Sequence, residues 1–236
     1  MRIVCALATL AVLTTACGSD EQRGASEHGR TLFADHRLSP STLNRFSCST
    51  CHDVEDGGGA RKTGAPLAGV TLRPTFWGGQ TNDLLHAINA CRRYFMQAPQ
   101  PFRGTETDAE ALYAFFVSLE PGDPRPFPFT IVPTAMEVPR GNAKQGADLY
   151  RAACASCHGQ KSSGDGRLTP QAPALPDSTH AAHLEDSAAT LRLIFIEKTR
   201  HGGFLGYGGN MPPFSSERLS DAELGSILEY LGVLGL

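Results

Sequence analysis

Apolar positions recur at helical spacing in four stretches of the chain. Leu84, Leu85, Ile88, Cys91 and Phe95 form one stripe, and Leu112, Phe115, Phe116 and Leu119 form a second, with Asp108 in place as its N-cap. Leu191, Ile194, Phe195 and Lys198 predict a third helix, which stops at Gly202-Gly203. Leu224, Ile227, Leu228 and Leu231 predict the last helix, opened by Ser220 with Glu223 completing a capping box. No stretch alternates as a strand should. The pattern predicts an all-α fold.

Two similar units share this pattern. Each opens with a G-x-x-L-aromatic step, Gly29, Leu32, Phe33 and then Gly146, Leu149, Tyr150. Each ends on an amphipathic helix. Between them the prolines from Pro121 to Pro139 forbid a helix and favour an extended linker. The chain therefore divides into a domain over 28–120, a Pro-rich linker over 121–140 and a second domain over 141–236. Its 236 residues suffice for two small helical domains.

The first residues read as an address rather than as fold. Arg2 precedes an apolar run, Ile3 to Leu13, that is too short to span a bilayer as a helix. Thr14, Thr15, Ala16 and Cys17 follow, and small residues ahead of a Cys resemble a lipoprotein cleavage box. Residues 1–17 are thus expected to be a signal peptide, with Cys17 lipidated. The apolar residue of that box usually stands where Thr14 is, so a plain secretory cut near Ala16 is the alternative. Residues 18–27, small and polar, are expected to form a flexible tether. A lipid at Cys17 is the one membrane attachment expected. The location expected is the periplasm, membrane-anchored or, without the lipid, soluble.

Composition changes this picture little. The chain is 41% hydrophobic and 19% charged, with a formal net charge of -3 and no basic block, so nucleic acid is not expected as a partner. The 25 Gly and 16 Pro point to many loops.

The chemistry lies in two C-x-x-C-H motifs, Cys48-Ser-Thr-Cys51-His52 and Cys154-Ala-Ser-Cys157-His158. This is the attachment signature of c-type haem. Cys48 and Cys51, and likewise Cys154 and Cys157, sit at the spacing that bonds two vinyl groups of one porphyrin. His52 and His158 then present an imidazole to each iron. A zinc site or a disulfide pair needs no fused His, let alone twice. The cofactors expected are two haem c groups.

Met211, in the glycine-rich loop GGFLGYGGNMPPF before the last helix, is the expected second axial ligand of the second haem. Met96 holds the equivalent place in the first unit, after one helix and before the last. Cys91 and His86, on the preceding helix, are its alternatives. Cys91 falls on the apolar stripe, so it ligates only if that stripe faces the iron, with Arg92 and Arg93 beside it to favour a thiolate. A ligating His donates its other N–H to an oxygen. The turns Ala65-Pro66-Leu67 and Ala172-Pro173-Ala174-Leu175 are placed to accept it, which singles out Pro66 and Pro173. His180, His183 and His201 are expected as separate surface imidazoles, and His28 and His36 have no assigned role.

Residues 141–236 resemble a class I cytochrome c domain, through Gly146-x-x-Leu149-Tyr150, Cys154-Ala-Ser-Cys157-His158-Gly159, Gly164-Asp165-Gly166, Ala172-Pro173-Ala174-Leu175, Met211-Pro212 and Leu219-Ser220-Asp221. The resemblance implies a helical wrap around one haem, His and Met axial ligands and a carbonyl at Pro173 that accepts the His158 N–H. The first unit is similar to the opening of the di-haem cytochrome c peroxidase and MauG group, through Gly29-Arg-Thr-Leu-Phe33, Asp35-His-Arg-Leu-Ser39, Phe46-Ser-Cys48-Ser-Thr-Cys51-His52-Asp53 and Phe76-Trp77-x-Gly79. That group places a displaceable His shortly after the first motif, whereas residues 53–85 contain none. Glu is absent from Glu55 to Glu106 as well.

These resemblances imply a di-haem electron carrier working with redox partner proteins, one electron per haem. The competing readings are a small haem oxidoreductase, peroxidase-like or thiosulfate dehydrogenase-like, and a subunit that donates electrons to a larger oxidoreductase. The thiosulfate dehydrogenase type can use a Cys as haem ligand, which gives Cys91 its interest.

Overall fold

The computed structural model describes residues 16–43, 45–55, 59–119, 121–130, 137–202 and 210–234. The expected signal segment up to residue 15 and the glycine loop over 203–209 lie outside them. Among the described residues the structure is helical, with no strand and a single isolated bridge between Phe76 and Thr81. No helix among them is long and apolar enough to cross a membrane.

The helices in order are α1 (Ala16–Ala34), α2 (Cys48–Cys51), α3 (Leu84–Tyr94), α4 (Thr107–Val117), α5 (Ala143–Ala153), α6 (Ala155–His158), α7 (Asp177–Ala182), α8 (Ala188–His201) and α9 (Asp221–Leu231). Two apolar clusters hold them, one around Phe33, Leu112, Phe115 and Phe116, the other around Tyr150, Ile196, Leu224 and Leu228.

One construction builds both clusters. α1 crosses α4, and α5 crosses α9. Each crossing is close because a glycine stands at it. A Cβ on Gly29 would lie 1.9 Å from the Ala111 carbonyl oxygen, and one on Gly146 would lie 1.8 Å from that of Ser226. The aromatic of each G-x-x-L-aromatic step then packs on its partner helix, Phe33 on Phe115 with ring centroids 5.5 Å apart and Tyr150 on Tyr230 at 5.6 Å. The shared step thus marks a helix crossing in each unit.

Several expectations meet the structure directly. α9 opens with the Ser220–Glu223 capping box, and α8 stops at Gly202. Other expectations are corrected. Residues 18–27 belong to α1 instead of forming a tether. Their Glu, Gln, Arg and Ala are compatible with helix, and α1 gains its tertiary support from α4. α4 begins after Glu106, two residues earlier than Asp108 suggested. Asp108 lies inside the first turn, where it pairs with His28 at 3.0 Å.

The Pro-rich segment is extended, as its prolines require, but it is pinned to both units. Gly122 lies against Gly69 and Ala68, the Phe129 ring meets Trp77 edge-on at 5.6 Å, and Thr130 Oγ1 donates to Glu217 at 2.5 Å. Val138 is buried in the second cluster, where its carbonyl accepts from Arg192 at 2.9 Å.

Candidate haem sites

In the first unit α2 is a single turn that carries Cys48 and Cys51, with His52 as its C-cap. Ser47 and Thr50 form its capping box. His52 Nδ1 makes a 2.7 Å hydrogen bond with the Ala65 carbonyl. As the donor, this nitrogen leaves Nε2 as the lone-pair nitrogen, which is the state an iron ligand needs. Gly64 lies flat on the ring, where an added Cβ would come within 2.3 Å of Cε1. Burial, and then the nearby Lys62, Arg73 and Arg218 cations, hold the imidazole below its usual range, and the Ala65 bond opposes them. The ring is therefore neutral and clamped.

The expected carbonyl at Pro66 is replaced by that of Ala65, one residue earlier. Gly64 N–H bonds to the Cys51 carbonyl at 2.8 Å and draws the loop in close behind the motif. The Pro66 carbonyl accepts instead from Arg73 Nη2, at 2.7 Å. Arg73 also donates to Ala68, at 3.0 Å. It thereby holds the turn that holds His52.

These residues border one apolar cavity, walled by α2, the 63–67 turn, Trp77, α3 and the linker rings Phe127 and Phe129. Met96 and Cys91 both line it. Met96 is buried, and its backbone is fixed by the Ser39 hydroxyl, which donates to its carbonyl at 2.7 Å. His86 is exposed and lies outside the lining. The α3 stripe of Leu84, Ile88, Cys91 and Phe95 faces this cavity, so the geometric condition for Cys91 is met. Burial, with Cys48 and Cys51 as neighbours, pushes the Cys91 thiol far up when nothing is bound to it.

The second unit repeats the arrangement. α6 follows Cys154 and contains Cys157 and His158. His158 Nδ1 bonds to the Pro173 carbonyl at 2.9 Å, at the residue the sequence singled out. Burial lowers its pKa and this bond opposes the shift. Met211 packs against the second cluster, and its carbonyl sits so close to Gly202 that a Cβ there would approach within 1.9 Å. His201 is wholly buried with its Nδ1 against Glu197, and His180 is half-buried, which corrects their reading as surface imidazoles.

The cysteines of both motifs are free of disulfides. Burial pushes Cys48 up to about 11 and Cys154 up to about 12. Cys51 is held at about 12, first by burial and then by Cys157. Among the described residues no group of three or more His, Cys, Asp or Glu is arranged to hold a metal ion. The residues present fit haem c. In the first unit paired thiols precede a neutral, oriented imidazole beside an apolar cavity, and Gly64 leaves the ring its space; in the second, Cys154 and Cys157 precede an imidazole held by the Pro173 carbonyl.

The units also meet directly. Arg61 N–H bonds to the Ala152 carbonyl at 2.8 Å, and its guanidinium reaches Glu223 at 2.5 Å. Arg218 Nε donates to the Lys62 carbonyl at 2.8 Å. Pro212 and Pro213 of the second unit help line the first cavity. Sequence reasoning missed Arg61, Arg73 and Arg218, since no motif marks a guanidinium that works on backbone carbonyls.

Residues 141–231 match the family described as cytochrome c oxidase, cbb3-type, subunit III, so this stretch is similar to a cytochrome c domain. No curated protein matches. Among solved structures, thiosulfate dehydrogenase (TsdBA) from Marichromatium purpuratum, in its "as isolated" form, is 19% identical over 89% of this chain, with a TM-score of 0.43. The alignment covers 46% of that longer chain.

Proposed function

We propose that the chain holds two covalently attached haems and carries electrons between redox partner proteins outside the cytoplasm. The observation that carries this reading is the repeated clamp. Each C-x-x-C-H histidine is fixed by a loop carbonyl, at 2.7 Å from Ala65 and at 2.9 Å from Pro173.

Haem bound here would supply reversible one-electron chemistry, with no substrate bond made. Cys48, Cys51, Cys154 and Cys157 would anchor the porphyrins, and His52 and His158 would ligate the irons. Met211 would complete the second site and Met96 the first. Lipidation at Cys17 would tether the protein to a membrane of the periplasm. The test is the mass of protein matured with the c-type haem machinery. Two haems per chain are expected, and one fewer when Cys48 and Cys51, or Cys154 and Cys157, are replaced by Ala. A mass with fewer than two haems in the unmutated chain overturns the reading.

A second reading is favoured by one observation, that the Cys91 stripe lines the first cavity. A thiolate ligand there would make the first haem the seat of an oxidoreductase of the thiosulfate dehydrogenase-like kind, with the second haem passing its electrons on. Low-temperature EPR separates the two readings. If Met96 ligates, Cys91→Ser leaves the low-spin signal of the first haem intact. If that substitution abolishes the signal, the enzyme reading replaces the carrier.

A further inference from the structure

The residues next to the two methionines touch each other. Gln97 follows Met96, Asn210 precedes Met211, and Gln97 Nε2 donates to Asn210 Oδ1 at 2.8 Å. We infer that this bridge couples the two haem sites, so that Gln97 and Asn210 are positioning residues through which each site senses the other. The inference rests on the two-haem reading.

Gln97 does not reach Asn210 by chance of surface rotation. Its backbone is left-handed, at φ 56°, a conformation that strains a side chain other than Gly. Both flanks hold it there. Ser39 Oγ donates to the Met96 carbonyl at 2.7 Å, and Ala98 N–H donates to the Arg92 carbonyl at 2.9 Å. The Gln97 Oε1 atom is buried and has no partner. An amide left half-satisfied on a strained backbone is oriented by its one remaining bond, the one to the other unit.

The far side is equally fixed. Gly202 presses on the Met211 carbonyl, and Phe214 N–H bonds to the Thr199 carbonyl at 2.8 Å. The residues just beyond, Pro212 and Pro213, form part of the first cavity's wall. A small shift of Met211 therefore moves a wall of the first site and pulls on the residue beside Met96. Both ends are packed, so the motion has few other ways to dissipate.

The test uses the full matured protein, with haem count by mass as its first measurement. Gln97→Gly removes the amide and relieves the left-handed strain, so loss of folding does not confound it. Asn210→Ala removes the other half, and the double variant closes the cycle. Spectroelectrochemical titration reads the potential of each haem. Gln97→Gly is expected to change the reduced-to-oxidised ratio of the second haem at fixed potential by about fivefold, at the low end of site-to-site couplings. Asn210→Ala should do the same to the first haem, and the double variant should shift either haem no further than one single substitution does. Variants that move only the haem of their own unit, or whose effects add in full, overturn the bridge and leave the two-haem reading standing. Fewer than two haems by mass overturns both.

Discussion

Gly64→Ala is a small change with a large expected effect. A Cβ at this position would lie 2.3 Å from His52 Cε1, 2.4 Å from Nδ1 and 2.7 Å from Nε2. Ordinary contact starts at 3.4 Å, so the overlap with the ring is about 1 Å. Gly64 does not have a left-handed backbone, so the whole effect is steric. Either the ring turns or the 63–67 turn backs away, and both break the 2.7 Å bond to Ala65. Overpacking of this kind costs about 1–3 kcal/mol. The lost hydrogen bond adds about 1 kcal/mol, and misorientation of a ligating His lowers metal affinity by about 10–100-fold. The assays are haem content by mass, the spectrum of the first haem and thermal unfolding, whose midpoint should fall by on the order of 10 °C. Gly104→Ala is the control, since a Cβ there meets only Leu85 Cδ2 at 3.5 Å. Gly64→Ala protein with two haems, an unchanged spectrum and an unchanged midpoint would refute the clamp.

Gly24 lies in α1 with nothing within 4 Å of an added Cβ, so Gly24→Ala should stabilise the chain by about 0.5–1 kcal/mol in urea unfolding. A free tether over 18–27 would show no gain. Arg192, 3% exposed, donates to the Val138 and Val233 carbonyls at 2.9 Å each. Arg192→Leu strips both of their donor and should cost roughly 2–6 kcal/mol, read as loss of amide-exchange protection in α8 and α9. Glu217 is held at about 2: partial burial would raise it, but the Thr130 hydroxyl and backbone N–H outweigh that by bonding the carboxylate. The stability it lends to the linker is therefore complete above about pH 4.5 and is lost as pH falls towards 2. In Thr130→Val protein, a chemical-shift titration should find Glu217 closer to the ordinary carboxylate range; an unmoved titration would refute the contact.

The sequence revealed what repeats and what has a periodic signature. The helical stripes, the Ser220 cap and both C-x-x-C-H motifs are local features, and the carbonyl at Pro173 stands at its expected residue. The carbonyl in the first unit moved to Ala65 because loop length fixes it: 13 residues separate it from His52, against 15 from His158 to Pro173. Spacing from a motif does not register a difference of two. The G-x-x-L-aromatic steps were visible, but their purpose was not, since it depends on the Ala111 and Ser226 carbonyls far along the chain. His201 looked like one imidazole among several, because its burial comes from packing around α8. The linker's prolines forbade a helix, but its seats on Trp77 and Glu217 belong to tertiary structure alone.

The two sites share their clamp and differ in their charge. His52 has Lys62, Arg73 and Arg218 close enough to depress it, whereas burial alone depresses His158. Lys62 acts most strongly of the three, with Nζ 3.2 Å from the His52 carbonyl and 2.6 Å from that of Ser49. Asp53, 2.8 Å from the same Nζ, offsets part of that charge. On the two-haem reading, fixed cations beside an iron would favour the state with one positive charge fewer and so would draw electrons towards the first haem. A neutral Met96 ligand would leave that pull intact, whereas a Cys91 thiolate ligand would oppose it with a negative charge. On that reading the order of the two potentials would be set by the axial ligand of the first haem. A first haem above the second accords with the carrier, and a first haem far below it accords with an oxidoreductase whose electrons leave through the second unit.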